Sequence, residues 1–155
     1  MPATCLEFFS PEAVITDIQG RTKKDILTEL LTVAVKGGIL PKGRKSQALE
    51  SLLEREARGS TGVGRGMAIP HAKISGLRRH AGILARSVEG VDFQAVDGEP
   101  VHVFVMLISP DKCPEEHLAF LRWVSTLARE ADFSSFVRQA RSEEEIFDVL
   151  RERAE

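Results

Sequence analysis

The chain of 155 residues contains no asparagine and only two cysteines, Cys5 and Cys113. Without asparagine there is no N-glycosylation acceptor. Two cysteines cannot build the disulfide framework of a small secreted protein, and this pair forms no CxxC metal motif. Long apolar runs are missing as well. No segment approaches the ~18 apolar residues that cross a bilayer, so no direct membrane insertion is expected. The N-terminal Met1-Pro2-Ala3-Thr4-Cys5-Leu6-Glu7 lacks the basic and apolar regions of a signal peptide, and the cytoplasm is the expected compartment. Neither sign of charge dominates: the formal net charge is -2, which argues against a broad nucleic-acid or acidic-membrane footprint. Arg78-Arg79-His80 makes only a small basic spot and reads as solvated loop. No Pro/Ser/Gly-rich linker and no internal repeat divides the sequence. With 43% hydrophobic and 28% charged residues, one globular domain over 1–155 with a sizeable core is expected.

What is present begins with helical patterning. Thr22-Lys23-Lys24-Asp25 fits a capping-box start, and Ile26, Leu27, Leu30, Leu31 and Ala34 follow at helical spacing until Gly37-Gly38. A second helix is predicted from about Ser46 to Arg58, with a stripe of Ala48, Leu49, Leu52, Leu53 and Ala57. The middle third reads as strands over Met67 to Ile74, Ala81 to Ser87 and Val101 to Ile108. The last is apolar almost throughout, as a strand covered on both faces is. Asp97-Gly98 marks a tight turn before it. Pro70 cannot donate to a ladder, which places it at an edge or bulge and exposes His71. Helix returns after Asp111-Lys112-Cys113-Pro114, with proline at the first helical position and Leu118, Leu121, Val124, Ser125 and Ala128 as the expected buried face. Asp132 is the expected cap of a short helix through Arg138. Ser142-Glu143-Glu144-Glu145 is a capping box for a last helix carrying Ile146, Phe147 and Leu150. Helices, then strands, then helices predict a mixed α/β sandwich.

The segment from Gly59 to His71, Gly-Ser-Thr-Gly-Val-Gly-Arg-Gly-Met-Ala-Ile-Pro-His, is the most informative. Glycines let backbone N–H groups approach a ligand and adopt positive φ, so Ser60, Thr61, Gly62, Gly64 and Gly66 can form an anion cradle beside a histidine. The same residues also read as a glycine-rich connector. Neither a Walker A motif nor the dinucleotide fingerprint is present, and no cofactor is expected.

Of the four histidines, His102 lies in the central strand in phase with Phe104 and Met106 and reads as structural. His80 reads as solvated. His117 falls in the first turn of the helix after the central strand, where the positive helix end favours a neutral ring and attracts phosphate. His71, with an ordinary pKa of about 6.5, is mostly neutral and nucleophilic near neutral pH. His117 and backbone N–H groups would stabilise the charge on a transferring phosphoryl group. Arg55, in the last turn of the second helix, would pair with its oxygens or with the acidic side of a partner, while Met67 and Ile69 exclude water.

This segment resembles the active-site stretch of the fructose/mannitol-class enzyme IIA domains of the phosphoenolpyruvate-dependent sugar phosphotransferase system. Val91 to Val101 is similar to that family's approach to its central strand. Glu116-His117-Leu118 resembles its second histidine, and Leu53-Glu54-Arg55-Glu56 its upstream Arg-Glu pair. The resemblance runs from about Leu6 to Leu150 and departs at Ala72, where many members carry glycine. It implies a mixed sheet flanked by helices and phosphorylation of His71. It also implies delivery from an HPr-type phosphocarrier protein and release to a IIB domain or a regulated target protein. A free-standing domain of this layout is similar to the nitrogen-regulatory branch, and sugar-specific IIA proteins also stand alone. Two further readings belong to other classes: a binding module that is not phosphorylated, and a metal-dependent hydrolase using His71, His117 and Glu115 or Glu116. Retention of both histidines weighs against the first. No HExxH or comparable spacing supports the second, so no metal is expected.

Overall fold

In the computed structural model, which describes residues 5–130 and 132–154, one sheet organises the chain. The strands are β1 (Val14–Ile15), β2 (Gly62–Gly64), β3 (Met67–Ala68), β4 (His71–Ile74), β5 (Ala81–Val91) and β6 (Val101–Pro110). Their order is β1-β5-β6-β3-β2, with β4 also paired to β6. Strand β5 runs antiparallel to β6, while β3 and β4 run parallel to it. The sheet is therefore mixed. Along β6 the side chains alternate, as a pleated strand requires. Phe104, Met106 and Ile108 enter one core with Ile26, Leu30 and Leu52. Val103, Val105 and Leu107 enter the other with Phe120, Val124 and Ile146. Helices α1 (Lys23–Lys36) and α2 (Lys45–Ala57) cover the first face; α3 (Pro114–Arg129), α4 (Phe133–Gln139) and α5 (Glu143–Ala154) cover the second.

Local sequence explains most boundaries. Thr22 accepts a hydrogen bond from the Asp25 N–H at the start of α1, and all five predicted residues of its stripe are fully buried. Ser142 accepts from the Glu145 N–H before α5. The expected single strand from Met67 to Ile74 is broken at Ile69-Pro70 into β3 and β4. The Pro70 carbonyl still accepts from the Leu107 N–H at 2.9 Å, so the ladder to β6 loses little across the break.

Four expectations change. In α3 the buried face is Phe120, Val124, Leu127 and Ala128 with His117, and Leu118 is exposed. Both stripes have helical spacing, and the aromatic Phe120 at the centre of the second core decides the phase. In α2, Ala57 is exposed and the charged Glu56 is buried instead. Asp132 stands at the start of α4 but makes no side-chain cap. The opposite end of that helix is closed by the buried Arg86, which donates to the carbonyls of Val137 and Ala140. Finally, Gly62–Gly64 is a short strand hairpinned to β3 rather than open loop.

Candidate active site

His71 opens β4 immediately after the Pro70 break, opposite Leu107 of β6. Among the described residues β4 pairs only with β6, so its outer side borders a cleft of about 700 Å³ between α2 and α3. Arg55, Ser60, His71, Lys73, His117 and Leu121 are on its walls. The His71 and His117 ring centres are 5.8 Å apart. The three main residues predicted from sequence, His71, His117 and Arg55, are thus brought together.

The hydrogen bonds of His71 fix its tautomer. Its Nδ1 lies 2.7 Å from the carbonyl oxygen of Ile69, and a carbonyl only accepts, so Nδ1 carries the proton. The neutral ring then presents a bare lone pair at Nε2, which accepts from Arg55 Nε at 3.2 Å. Burial pushes the His71 pKa below its ordinary value, and the Arg55 guanidinium acts in the same direction. Arg55 is itself anchored by donating from a terminal nitrogen to the Gly59 carbonyl at 2.7 Å.

His117 sits one turn into α3, with Pro114 at the helix start as expected. Its pKa is pushed down to about 4, by burial first and then by the electrostatic cost of charging it beside His71, Lys73 and His80. The ring is therefore neutral near pH 7. Arg55, Arg58 and Lys73 face the cleft against one carboxylate, Glu54, which makes the opening attractive to an anion.

The glycine segment acts differently from the cradle expected of it. Ser60 reaches the cleft wall; Thr61, Gly62, Gly64 and Gly66 do not line it. The donors nearest the site are already committed. Thr61 gives its N–H and its hydroxyl to the buried Glu56 carboxylate, at 2.9 and 2.6 Å to one oxygen. The Gly62 N–H goes to Ser60 Oγ, which itself donates to the Phe93 carbonyl. Gly62 is needed because a Cβ there would meet Ala95 Cα at 2.8 Å. Gly66, at φ +78°, turns the hairpin on the side of Ser134. These glycines shape the route to His71 rather than line its cleft. Met67 and Ile69 belong to the second core, and Leu121 is the apolar wall instead. Ala72 occupies an ordinary strand position and is buried in the first core.

Sequence reasoning missed His80 and Ser109, and it named Glu56 only within the Arg-Glu pair, without its partners. Glu56 ties the end of α2 to Thr61 and takes an ion pair from Lys23 at 3.2 Å. His80 is 5% exposed rather than solvated, because its ring packs between Phe8 and Phe120. Its Nδ1 lies 2.8 Å from Ser109 Oγ, and the same oxygen lies 2.8 Å from His117 Nδ1. Glu116 turns toward His80 Nε2, at 3.2 Å, and so does not join His71 and His117 as a metal-ligand set. The only advance signal was the clustering of Glu116 beside His117. His102 donates from Nδ1 to the Ser87 carbonyl at 3.0 Å, in keeping with a structural role.

Comparison with known proteins bears on the same residues. The chain is 35% identical over 150 residues to a nitrogen regulatory protein of Bradyrhizobium diazoefficiens, covering 97% of this chain and 95% of that one. It is 34% identical over 153 residues to a fructose-specific EIIA component of a Haloferax volcanii phosphotransferase system, covering 98% of each. The crystal structure of a nitrogen regulatory protein IIA-Ntr from Neisseria meningitidis superposes with a TM-score of 0.83 at 28% identity, over 94% of this chain and 97% of that one. The model of the phosphoenolpyruvate-dependent sugar phosphotransferase system EIIA 2 family matches residues 7–153. With that match spanning the sheet, both cores and the histidine cleft, the chain belongs to the EIIA 2 family of phosphotransfer components.

Proposed function

We propose that the chain accepts a phosphoryl group on Nε2 of His71 from an HPr-type phosphocarrier and passes it on, or signals by carrying it. The observation that supports this most is the hydrogen bond from His71 Nδ1 to the Ile69 carbonyl. It fixes the nucleophilic lone pair at Nε2, on the cleft side, and holds the neutral ring in place. In transfer, Nε2 attacks phosphorus, the carrier's P–N bond breaks, and its electron pair returns to the carrier's imidazole. Arg55 exchanges its contact with Nε2 for contacts to the phosphoryl oxygens, and Lys73 and His117 flank the developing charge. A shallow, cationic opening suits a group handed between protein surfaces. This reading places the protein in the cytoplasm beside its carrier, and it invokes no metal or cofactor.

As to branch, the nitrogen-regulatory relatives favour a regulatory IIA whose phosphorylation state is read by a target protein. The Haloferax relative supports a second reading, a sugar-specific IIA that hands phosphate to a IIB domain. Intact mass after incubation with phosphoenolpyruvate, enzyme I and an HPr-type carrier tests the common core of both. One acid-labile phosphoryl group, absent in His71→Ala, is the expected result. No added mass from either the sugar-branch or the nitrogen-branch carrier would leave a binding module that keeps only the fold. Addition of a fructose-type IIB domain then separates the branches, since rapid loss of the label marks the sugar-specific one.

A further inference from the structure

A buried chain of side chains leads from the back of His117 to the surface. Glu116, whose side chain is 56% exposed, approaches His80 Nε2 at 3.2 Å. His80 Nδ1 and His117 Nδ1 each lie 2.8 Å from Ser109 Oγ. Ser109 is fully buried at the end of β6, and the antiparallel pairing of Ala81 with Ile108 brings His80 beside it. The aromatic rings of Phe8 and Phe120 pack against the His80 ring. Glu116 faces His80, and Glu7, Arg78 and Arg79 line the same pocket as His80; around His117 stand His71 and Lys73 of β4.

The hydroxyl of Ser109 has one proton to donate and two ring nitrogens that compete for it. An ionised Glu116 requires a proton on His80 Nε2. A neutral His80 then has a bare Nδ1 and takes the hydroxyl proton. Ser109 Oγ must in turn accept from His117, so His117 carries its proton on Nδ1 and shows the cleft a bare Nε2. That form repels a phosphoryl oxygen. Moving the chain by one step reverses it. One proton arrives at His117 Nε2, the Nδ1 proton passes to Ser109 Oγ, and the hydroxyl proton passes to His80 Nδ1. His117 is again neutral but now offers Nε2–H to the cleft. The added charge rests on His80 as an imidazolium beside Glu116. The net change is uptake of one proton from water, with no other bond altered.

Building on the reading of His71 as phosphoryl acceptor, we infer that Glu116, His80 and Ser109 form a proton relay that switches His117 from acceptor to donor when a phosphoryl group occupies the cleft. His80 and Ser109 are positioning residues that act through His117. The inference concerns side chains outside the cleft wall and predicts that phosphorylation and proton uptake are coupled.

The test is ¹⁵N NMR of histidine-labelled protein together with variant kinetics. In the unphosphorylated protein at mildly basic pH, His80 should be protonated at Nε2 only and His117 at Nδ1 only. This measurement needs no phosphoryl group, so it stands or falls apart from the role of His71. After phosphorylation, His117 should be protonated at Nε2 only and His80 at both nitrogens. A neutral His80 in the phosphoprotein, or a doubly protonated His117, would overturn the relay. Glu116→Gln changes an exposed residue and should leave the fold intact. Ser109→Ala removes the hydroxyl, and Ser109→Thr restores it. Return of the phosphoryl group to the carrier should slow about tenfold in Glu116→Gln and Ser109→Ala, less than the ~100-fold typical of a group that itself transfers a proton in the transition state. Its pH profile should flatten in both and recover in Ser109→Thr. Wild-type rates and an unchanged profile in folded Glu116→Gln and Ser109→Ala would refute it.

Discussion

Acid should weaken this fold through His117 in a way that a single substitution removes. The ordinary histidine value is 6.5, and in the folded protein His117 stands at about 4. Between those values the unfolded chain binds a proton that the folded chain refuses. Stability present above pH 6.5 is therefore lost progressively as the pH falls toward 4. At about 1.4 kcal/mol for each pH unit, the loss approaches about 3 kcal/mol, a large share of the ~5–15 kcal/mol that holds a domain of this kind together. His71 adds to it with the same sign, since burial lowers its pKa too. His117→Gln removes the titration and keeps hydrogen-bonding atoms for Ser109. Urea unfolding at about pH 7.5 and about pH 4.5 gives the comparison. His117→Gln should lose less stability than wild type over that interval by about 2–3 kcal/mol. An equal fall in both proteins, or a wild type that gains stability toward acid, would refute the assignment of a buried neutral ring.

Three other perturbations reach different parts of the site. Arg55→Lys keeps charge but loses the planar fork and the Nε–H that meets His71. It should slow loading of His71 about a hundredfold, with a thermal midpoint close to wild type. Glu56→Ala strands the Thr61 N–H and hydroxyl and should cost about 3 kcal/mol in chemical denaturation. A cost below about 1 kcal/mol, the scale of an exposed pair, would mean that the Lys23–Glu56 cluster is solvated. Gly62→Ala inserts a methyl group against the backbone of Ala95. It should destabilise by about 1–3 kcal/mol while leaving His71 able to accept phosphate.

The fold was legible where periodicity and punctuation agreed. The stripe of α1 has one solution at helical spacing, and Thr22 and Gly37 fix its ends. The alternation of β6 was hidden, because a strand buried on both faces is apolar at every position, so its two cores could not be assigned from composition. The phase of α3 had two apolar answers, and only packing against Phe8 and Phe9 selects Phe120 over Leu118. The two residues of β1 are too few to carry any period, and exist because β5 offers Leu84 and Ala85 as partners.

The site divides along the same line. The positions of His71, Arg55 and His117 were legible because each stands at a place that local sequence marks: after a proline in a strand, in a last helical turn, in a first helical turn. Glu56, His80 and Ser109 were not, because their meaning depends on partners far along the chain. Lys23 reaches Glu56 across 33 positions and Ser109 reaches His80 across 29. Glycine was legible as a type but ambiguous as a role, since an anion cradle and a hairpin call for the same residue. Here Glu56 decides between them. By taking the Thr61 donors for structure, it leaves the cleft to side chains that can move, a guanidinium, a lysine and an imidazole, and on the proposed function these are the groups that would meet a phosphoryl group. A cage of fixed backbone N–H groups stabilises one bound state, whereas a group that must leave as readily as it arrives is better met by donors that can release it. The committed donors of Thr61 and Gly62 and the His71 Nε2, held only by the movable Arg55 side chain, are two halves of that same arrangement.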